Sequence, residues 1–215
     1  MPSKAAPPPA KAKRPTVKPA AAVKPKVKPA KVATPLAKVK RVSKPAAQAQ
    51  PPAKRPSAAG RDLEGHRAPA FVLPDQDGAP VALESLTARG PVVLYFYPKD
   101  MTPGCTVEAC DFRDHLAPIR ALGATVVGVS ADKVEAHRKF IARHSLNFPL
   151  LSDTENKVTR AYGVYTKKSL YGREFMGIVR TTVIIGKDGM VKKVFPKVKV
   201  NGHTTEVVGA LKELR

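Results

Sequence analysis

Residues 90–114 read GPVVLYFYPKDMTPGCTVEACDFRD. The run divides into three parts. Gly90 to Pro98 is continuous, apolar and rich in β-branched and aromatic side chains, which predicts a strand buried on both faces. Residues 99–104, KDMTPG, predict a loop. A helix is expected from Pro103 or Gly104 through CTVEACDFRDHLAPIRAL, because proline suits the first helical position, where its missing N–H is not needed.

Working outward, APAFVLPDQDGAPVALESL (68–86) reads as short strands around a turn at Asp77–Gly78. On the other side, ATVVGVSAD (124–132) is a second buried strand. KVEAHRKFIARHSL (133–146) places Val134, Phe140 and Ile141 among charges and predicts a surface helix. FPLLSD (148–153) is a third short strand, and TENKVTRAYG (154–163) a helix. RTTVIIGKDGMVKKVF (180–195) predicts a hairpin turning at Lys187-Asp188-Gly189, and HTTEVVGALKEL (203–214) a closing helix. Strands and helices that alternate, then end in a hairpin, predict an α/β fold: a mixed central sheet flanked by helices, compatible with a thioredoxin-like fold.

The 215-residue chain carries a formal net charge of +21, unevenly held. Residues 1–61 contain 16 of the 38 Lys and Arg, 13 of the 22 Pro and none of the 17 Asp and Glu. They are therefore +16, against +5 for residues 62–215. Phrases such as VKPAAAVKPKVKPAKVATPLAKVK (17–40) contain no aromatic residue. Proline interrupts helices, like charges repel, and too little apolar surface is present to offset the entropy of ordering. Residues 1–61 are expected to be a disordered basic tail with polyproline II character, and residues 62–215 one domain.

No apolar run of about 18 residues or more predicts a membrane span, and no secretory signal is read. An organellar transit peptide stays the alternative for the acid-free segment, although that segment is Pro-rich, Ser-poor and lacks an amphipathic helix pattern. The two cysteines, Cys105 and Cys110, are too few for a secreted disulfide framework and suit a reducing compartment.

Cys105 follows a buried strand at the expected start of a helix. The first helical turn has unpaired N–H groups and the positive end of the helix dipole, and both favour a thiolate nucleophile. The Thr102 hydroxyl, three residues earlier, is placed to bond the sulfur or a bound oxygen. The plainer alternative for Cys105 is a structural thiol packed in a core.

Pro98, Thr102 and Cys105 stand in the spacing Pro-x-x-x-Thr-x-x-Cys. That string resembles the peroxiredoxin active-site signature. The longer FYPKDMTPGCTVEACDFRD (96–114) resembles the bacterioferritin comigratory protein (PrxQ) branch of that family. The resemblance covers about residues 62–215. It implies a thiol peroxidase that reduces hydrogen peroxide and organic hydroperoxides, with Cys105 as peroxidatic cysteine and Cys110 as resolving cysteine. It also implies that Thr102 and the Cys105 N–H hold the peroxide, that Pro98 shields the pocket, and that Arg180 stands near the sulfur. The reductant implied is thioredoxin or a similar dithiol, the assembly a monomer, and no cofactor is called for. Without the resemblance, Arg180 reads as a solvated strand-end arginine and Cys110 as a helix-face residue.

The chemistry suits these residue types. Displacement at a peroxide oxygen needs a thiolate, a cation beside it and donors for the leaving oxygen. The sulfenic acid so formed condenses with a second thiol. On an unbroken helix, residues five apart have Cα atoms about 8.6 Å apart and point about 140° apart. A disulfide needs about 7 Å or less. A Cys105–Cys110 disulfide therefore requires local unwinding around residues 105–112.

Other sites fit poorly. Two cysteines and the histidines His66, His115, His137, His144 and His203, read as surface or helix-face residues, give no zinc ligand spacing. Cys105 and Cys110 are not a Cys-x-x-Cys pair. The rival of another class is a nucleic-acid-binding protein with a redox-sensing thioredoxin-like domain. The tail's cations suit non-specific, salt-dependent DNA contact through residues 1–61, though a solubilising spacer explains them equally. The compartment expected is cytoplasm with nucleoid contact, with nucleus or plastid as alternatives.

Overall fold

The computed structural model describes residues 63–170 and 173–214. The expected basic tail, residues 1–61, lies outside them. The central strand is β3, Val92–Phe96, and all five residues are buried, as the uninterrupted apolar run requires. Strand side chains alternate between faces. Val92, Leu94 and Phe96 accordingly join one apolar cluster, and Val93, Tyr95 and Tyr97 the other.

Ahead of β3 come β1 (Val72–Pro74), β2 (Pro80–Ala82) and helix α1 (Leu83–Thr87). After it come α2 (Pro103–Asp114), α3 (Leu116–Ala121), β4 (Thr125–Ser130), α4 (Val134–His144), β5 (Leu150–Ser152), α5 (Lys157–Ala161), β6 (Tyr165–Leu170), β7 (Arg173–Ile178), β8 (Thr181–Ile185), β9 (Val191–Pro196) and α6 (His203–Glu213). The main sheet has the order β5-β4-β3-β8-β9. β3, β4 and β5 are parallel, while β8 runs antiparallel to both β3 and β9. This is the expected mixed sheet of a thioredoxin-like fold. Side chains of α2, α3, α4 and α6 pack on the face of Tyr95, and those of α1 and α5 on the face of Leu94.

The fold corrects the sequence reading in four places. The helix expected to run unbroken from residue 103 to 122 ends at His115 and restarts as α3. Pro118 has no N–H to offer the carbonyl four residues earlier, and its ring crowds that carbonyl. In the 68–86 segment, strands occupy only β1 and β2, and Leu83–Thr87 is helical, burying Leu83 and Leu86. His137 and His203 do lie on helices, but on buried faces. The antiparallel hairpin β6–β7 has no counterpart among the elements read from the sequence. Its lysine-rich first strand lacks the apolar alternation that marks a half-buried strand.

That hairpin matters for the site. It returns the chain to the main sheet, and the Val179 N–H bonds the Val164 carbonyl at 2.8 Å. Residue 180 is thereby set at the mouth of β8, beside the start of α2.

Candidate active site

Helix α2 begins sharply. Thr102 is its N-cap with extended backbone, and Pro103 is its first helical residue. Just before it, Met101 adopts a left-handed φ of 59°, uncommon for a side chain of this size and 41% exposed. The Thr102 side chain does not cap the helix; its Oγ1 donates to the Lys99 carbonyl at 3.1 Å. The Thr102 hydroxyl therefore does not occupy the amides of the first turn, and Cys105 sits in that turn.

Cys105, Ala109 and Phe112 form the inward stripe of α2. Phe112 stacks on Tyr95, ring centroids 4.8 Å apart, and seats the helix on β3. Gly128 of β4 leaves room for that ring: a Cβ there would stand 2.8 Å from Tyr95 Cζ and Oη. Cys105 is 1% exposed, so its sulfur faces protein on nearly every side.

The protein group facing it is a cation. Arg180 Nη2 donates to Cys105 Sγ at 3.2 Å across 75 residues of chain. Its other terminal nitrogen, Nη1, donates to Glu108 Oε2. Burial works against the Arg180 charge, but Glu108 and Cys105 outweigh it and raise the guanidinium further. Glu108 is 2% exposed. Burial pushes its carboxyl up to about 7, against the pull of Arg180. Its Oε1 has no hydrogen-bond partner among the described residues.

Of the expected residues, Cys105 and Arg180 are in contact, Thr102 is the residue that starts their helix, and Cys110 is half-buried further along α2. Pro98 is exposed where the chain leaves β3. Sequence reasoning missed Glu108. The signal was present, since an acid at the third position after Cys105 falls on the apolar stripe of α2, where an unpaired charge is costly.

A second polar cluster fixes the loop that leads into the helix. Asp100 Oδ1 accepts from the Tyr97 hydroxyl at 2.7 Å, and its Oδ2 lies 2.8 Å from His137 Nδ1 on α4. The Asp100 N–H donates to Asp132 Oδ2 at 2.8 Å. The buried histidine thus ties the active-site loop to α4.

Residues 65–194, which hold the buried cysteine at the helix N-terminus and the arginine on its sulfur, match the AhpC/TSA family model. This chain belongs to the AhpC/TSA family. It is a peroxiredoxin of the Bcp/PrxQ branch and a thiol-dependent peroxidase. The putative peroxiredoxin bcp of Coxiella burnetii is 48% identical over 147 residues, 68% of this chain and 97% of the relative. Peroxiredoxin Bcp of Bacillus subtilis is 45% identical over 150 residues, 70% of this chain and 95% of the relative. A solved structure of the bacterioferritin comigratory protein of Xanthomonas campestris, studied for alkyl peroxide reduction, is 39% identical. It covers 67% of this peroxiredoxin and 91% of its own chain, with a TM-score of 0.64.

Proposed function

We propose that Cys105 attacks the hydroperoxide, that Cys110 resolves the product, and that a dithiol of the thioredoxin type restores both thiols. The observation that carries this reading is the 3.2 Å contact between Arg180 Nη2 and the buried Cys105 sulfur. The Cys105 thiolate attacks one peroxide oxygen; the S–O bond forms as the O–O bond breaks. The peroxide gains two electrons and the sulfur loses two. Negative charge passes to the leaving oxygen, which departs as water or an alcohol once protonated. Arg180 supplies a charge that does not deprotonate, and Thr102 with the first-turn amides supplies donors. The Cys105 sulfenic acid then meets the Cys110 thiolate; the S–S bond forms and the hydroxide leaves as water. Thiol–disulfide exchange with the external dithiol closes the cycle.

Peroxide consumption with a thioredoxin system tests this directly. Cys105→Ser is expected to be inactive. Cys110→Ser is expected to consume about one equivalent and then stall. Continued turnover by Cys105→Ser would overturn the assignment.

The composition of residues 1–61 supports an addition. Sixteen cations without an acid suit non-specific contact with DNA, which releases counterions and weakens with salt. The tail would hold a monomeric peroxidase on the nucleoid in the cytoplasm. Deleting residues 1–61 should abolish DNA retention at low salt and leave turnover unchanged. Equal retention by both forms would remove the tail from the proposal.

A further inference from the structure

The hairpin beside the site carries a cation that the peroxidase chemistry above does not use. Lys168 lies on β6, half-buried, and pairs across the hairpin with Phe175. Its stem crosses the face of Gly177: a Cβ at that glycine would stand 3.5 Å from Lys168 Cδ. The ammonium then reaches the strand end and donates to the Ile178 carbonyl. Ile178 is two residues before Arg180. Among the described residues the hydrogen-bond partner of Lys168 is thus a neutral carbonyl, and no carboxylate there pairs with its charge.

We propose that Lys168 is a positioning residue of the peroxidatic site, which holds the Ile178 carbonyl so that Arg180 meets the sulfur and sets a second positive charge towards Cys105. The proposal rests on the reading of Cys105 as the reactive thiol. Three forces act on the Lys168 ammonium. Burial lowers it from its ordinary range, the Arg180 charge lowers it too, and the Cys105 sulfur opposes both. The geometry agrees: the Lys168 ammonium sits on the carbonyl two residues before Arg180, whose Nη2 contacts the Cys105 sulfur and whose Nη1 holds Glu108. Negative charge that moves from sulfur to the leaving oxygen during peroxide reduction remains in the field of both cations.

Lys167 is the natural control. It is the next residue on the strand, so it points to the other face, where its ammonium pairs with Glu174.

The test uses the full-length chain with Cys110→Ser, which leaves one thiol. Cys105 is alkylated with iodoacetate, an anion, and with iodoacetamide, which is neutral. Both reagents draw on the same thiolate population, so the ratio of their rates reports the local field. Loss of one nearby positive charge in Lys168→Gln should lower the ratio by about threefold. Lys168→Arg should restore the ratio, and Lys167→Gln should leave it unchanged. If the glutamine variant does not fold, Lys168→Met keeps the stem without the charge and is held to the same expectation. An unchanged ratio in the neutral variants, an equal fall in Lys168→Arg, or an equal fall in Lys167→Gln would overturn the proposal. Alkylation needs no turnover, so these outcomes are separate from failure of the peroxidase reading, which Cys105→Ser reports.

Discussion

Cys105 and Cys110 stand on one unbroken helix, α2, the first buried, the second half-buried, and both as free thiols. Five helical residues separate their Cα atoms by about 8.6 Å, beyond the reach of a disulfide at about 7 Å. The proposed Cys105–Cys110 disulfide therefore cannot form on an intact α2, and the proposed cycle requires the helix to act as a redox-dependent two-state element. Oxidation by one equivalent of peroxide should remove hydrogen-exchange protection from amides in residues 105–112. Cys110→Ser should keep that protection. Identical protection in the reduced and disulfide forms would refute the mechanism.

Thr102 spends its hydroxyl on the Lys99 carbonyl in the resting site. In the proposed cycle the same hydroxyl turns to donate to a peroxide oxygen. Thr102→Val should slow the first oxidation of Cys105 by about 100- to 1000-fold, the range for loss of one donor to a developing oxyanion. Thr102→Ser should retain most of the rate. Stopped-flow measurement of Cys105 oxidation checks both.

Glu108 gives stability a pH dependence with a definite sign. Its carboxyl titrates at about 7 in the fold, up from 4.5. Between those values the native chain holds a proton that the unfolded chain has released, so stability falls as pH rises through this window. Wild type should lose up to about 3 kcal/mol relative to Glu108→Gln between pH 4.5 and 7. Urea unfolding at a series of pH values measures this difference. Parallel curves would contradict the assignment.

Gly128 keeps β4 open for the aromatic support under α2. In Gly128→Ala the new Cβ would stand 2.6 Å from Leu150 Cδ2 as well as 2.8 Å from the Tyr95 ring atoms. Both neighbours are fully buried, and protein interiors are close-packed, so neither shifts without disturbing its surroundings. The variant should lose about 1–3 kcal/mol of stability, the usual range for overpacking. Because Tyr95 stacks on Phe112, Arg180 contact with Cys105 should loosen too, and alkylation of Cys105 should change with it. Unaltered denaturation would show that the core yields more easily than this packing implies.

Much of the molecule was legible in the linear sequence because it rests on local physics. The all-apolar run Val92–Phe96 reads as a doubly covered strand without knowledge of its neighbours. Pro103 marks a helix start through a backbone preference that acts within one turn. What failed was of two kinds. Pro118 was passed over inside an apolar pattern, where its missing N–H breaks α2 from α3. The hairpin β6–β7 was missed because its strands are held by pairing to each other rather than by a buried stripe.

The sequence by itself determined the parts of the chemistry: a cysteine at a helix N-terminus, a threonine one turn before it, a second thiol too far along the same helix, and a charge imbalance confined to residues 1–61. Only the tertiary structure decided their combination. The contact of Arg180 with Cys105 spans 75 residues and exists because the β6–β7 hairpin returns the chain to β8 beside β3. Glu108 became part of the site, and His137 part of its support, only when packing removed water from them. Burial turns an ordinary helix-face acid or histidine into one that must find a partner, and no property of the linear chain records which faces will be buried.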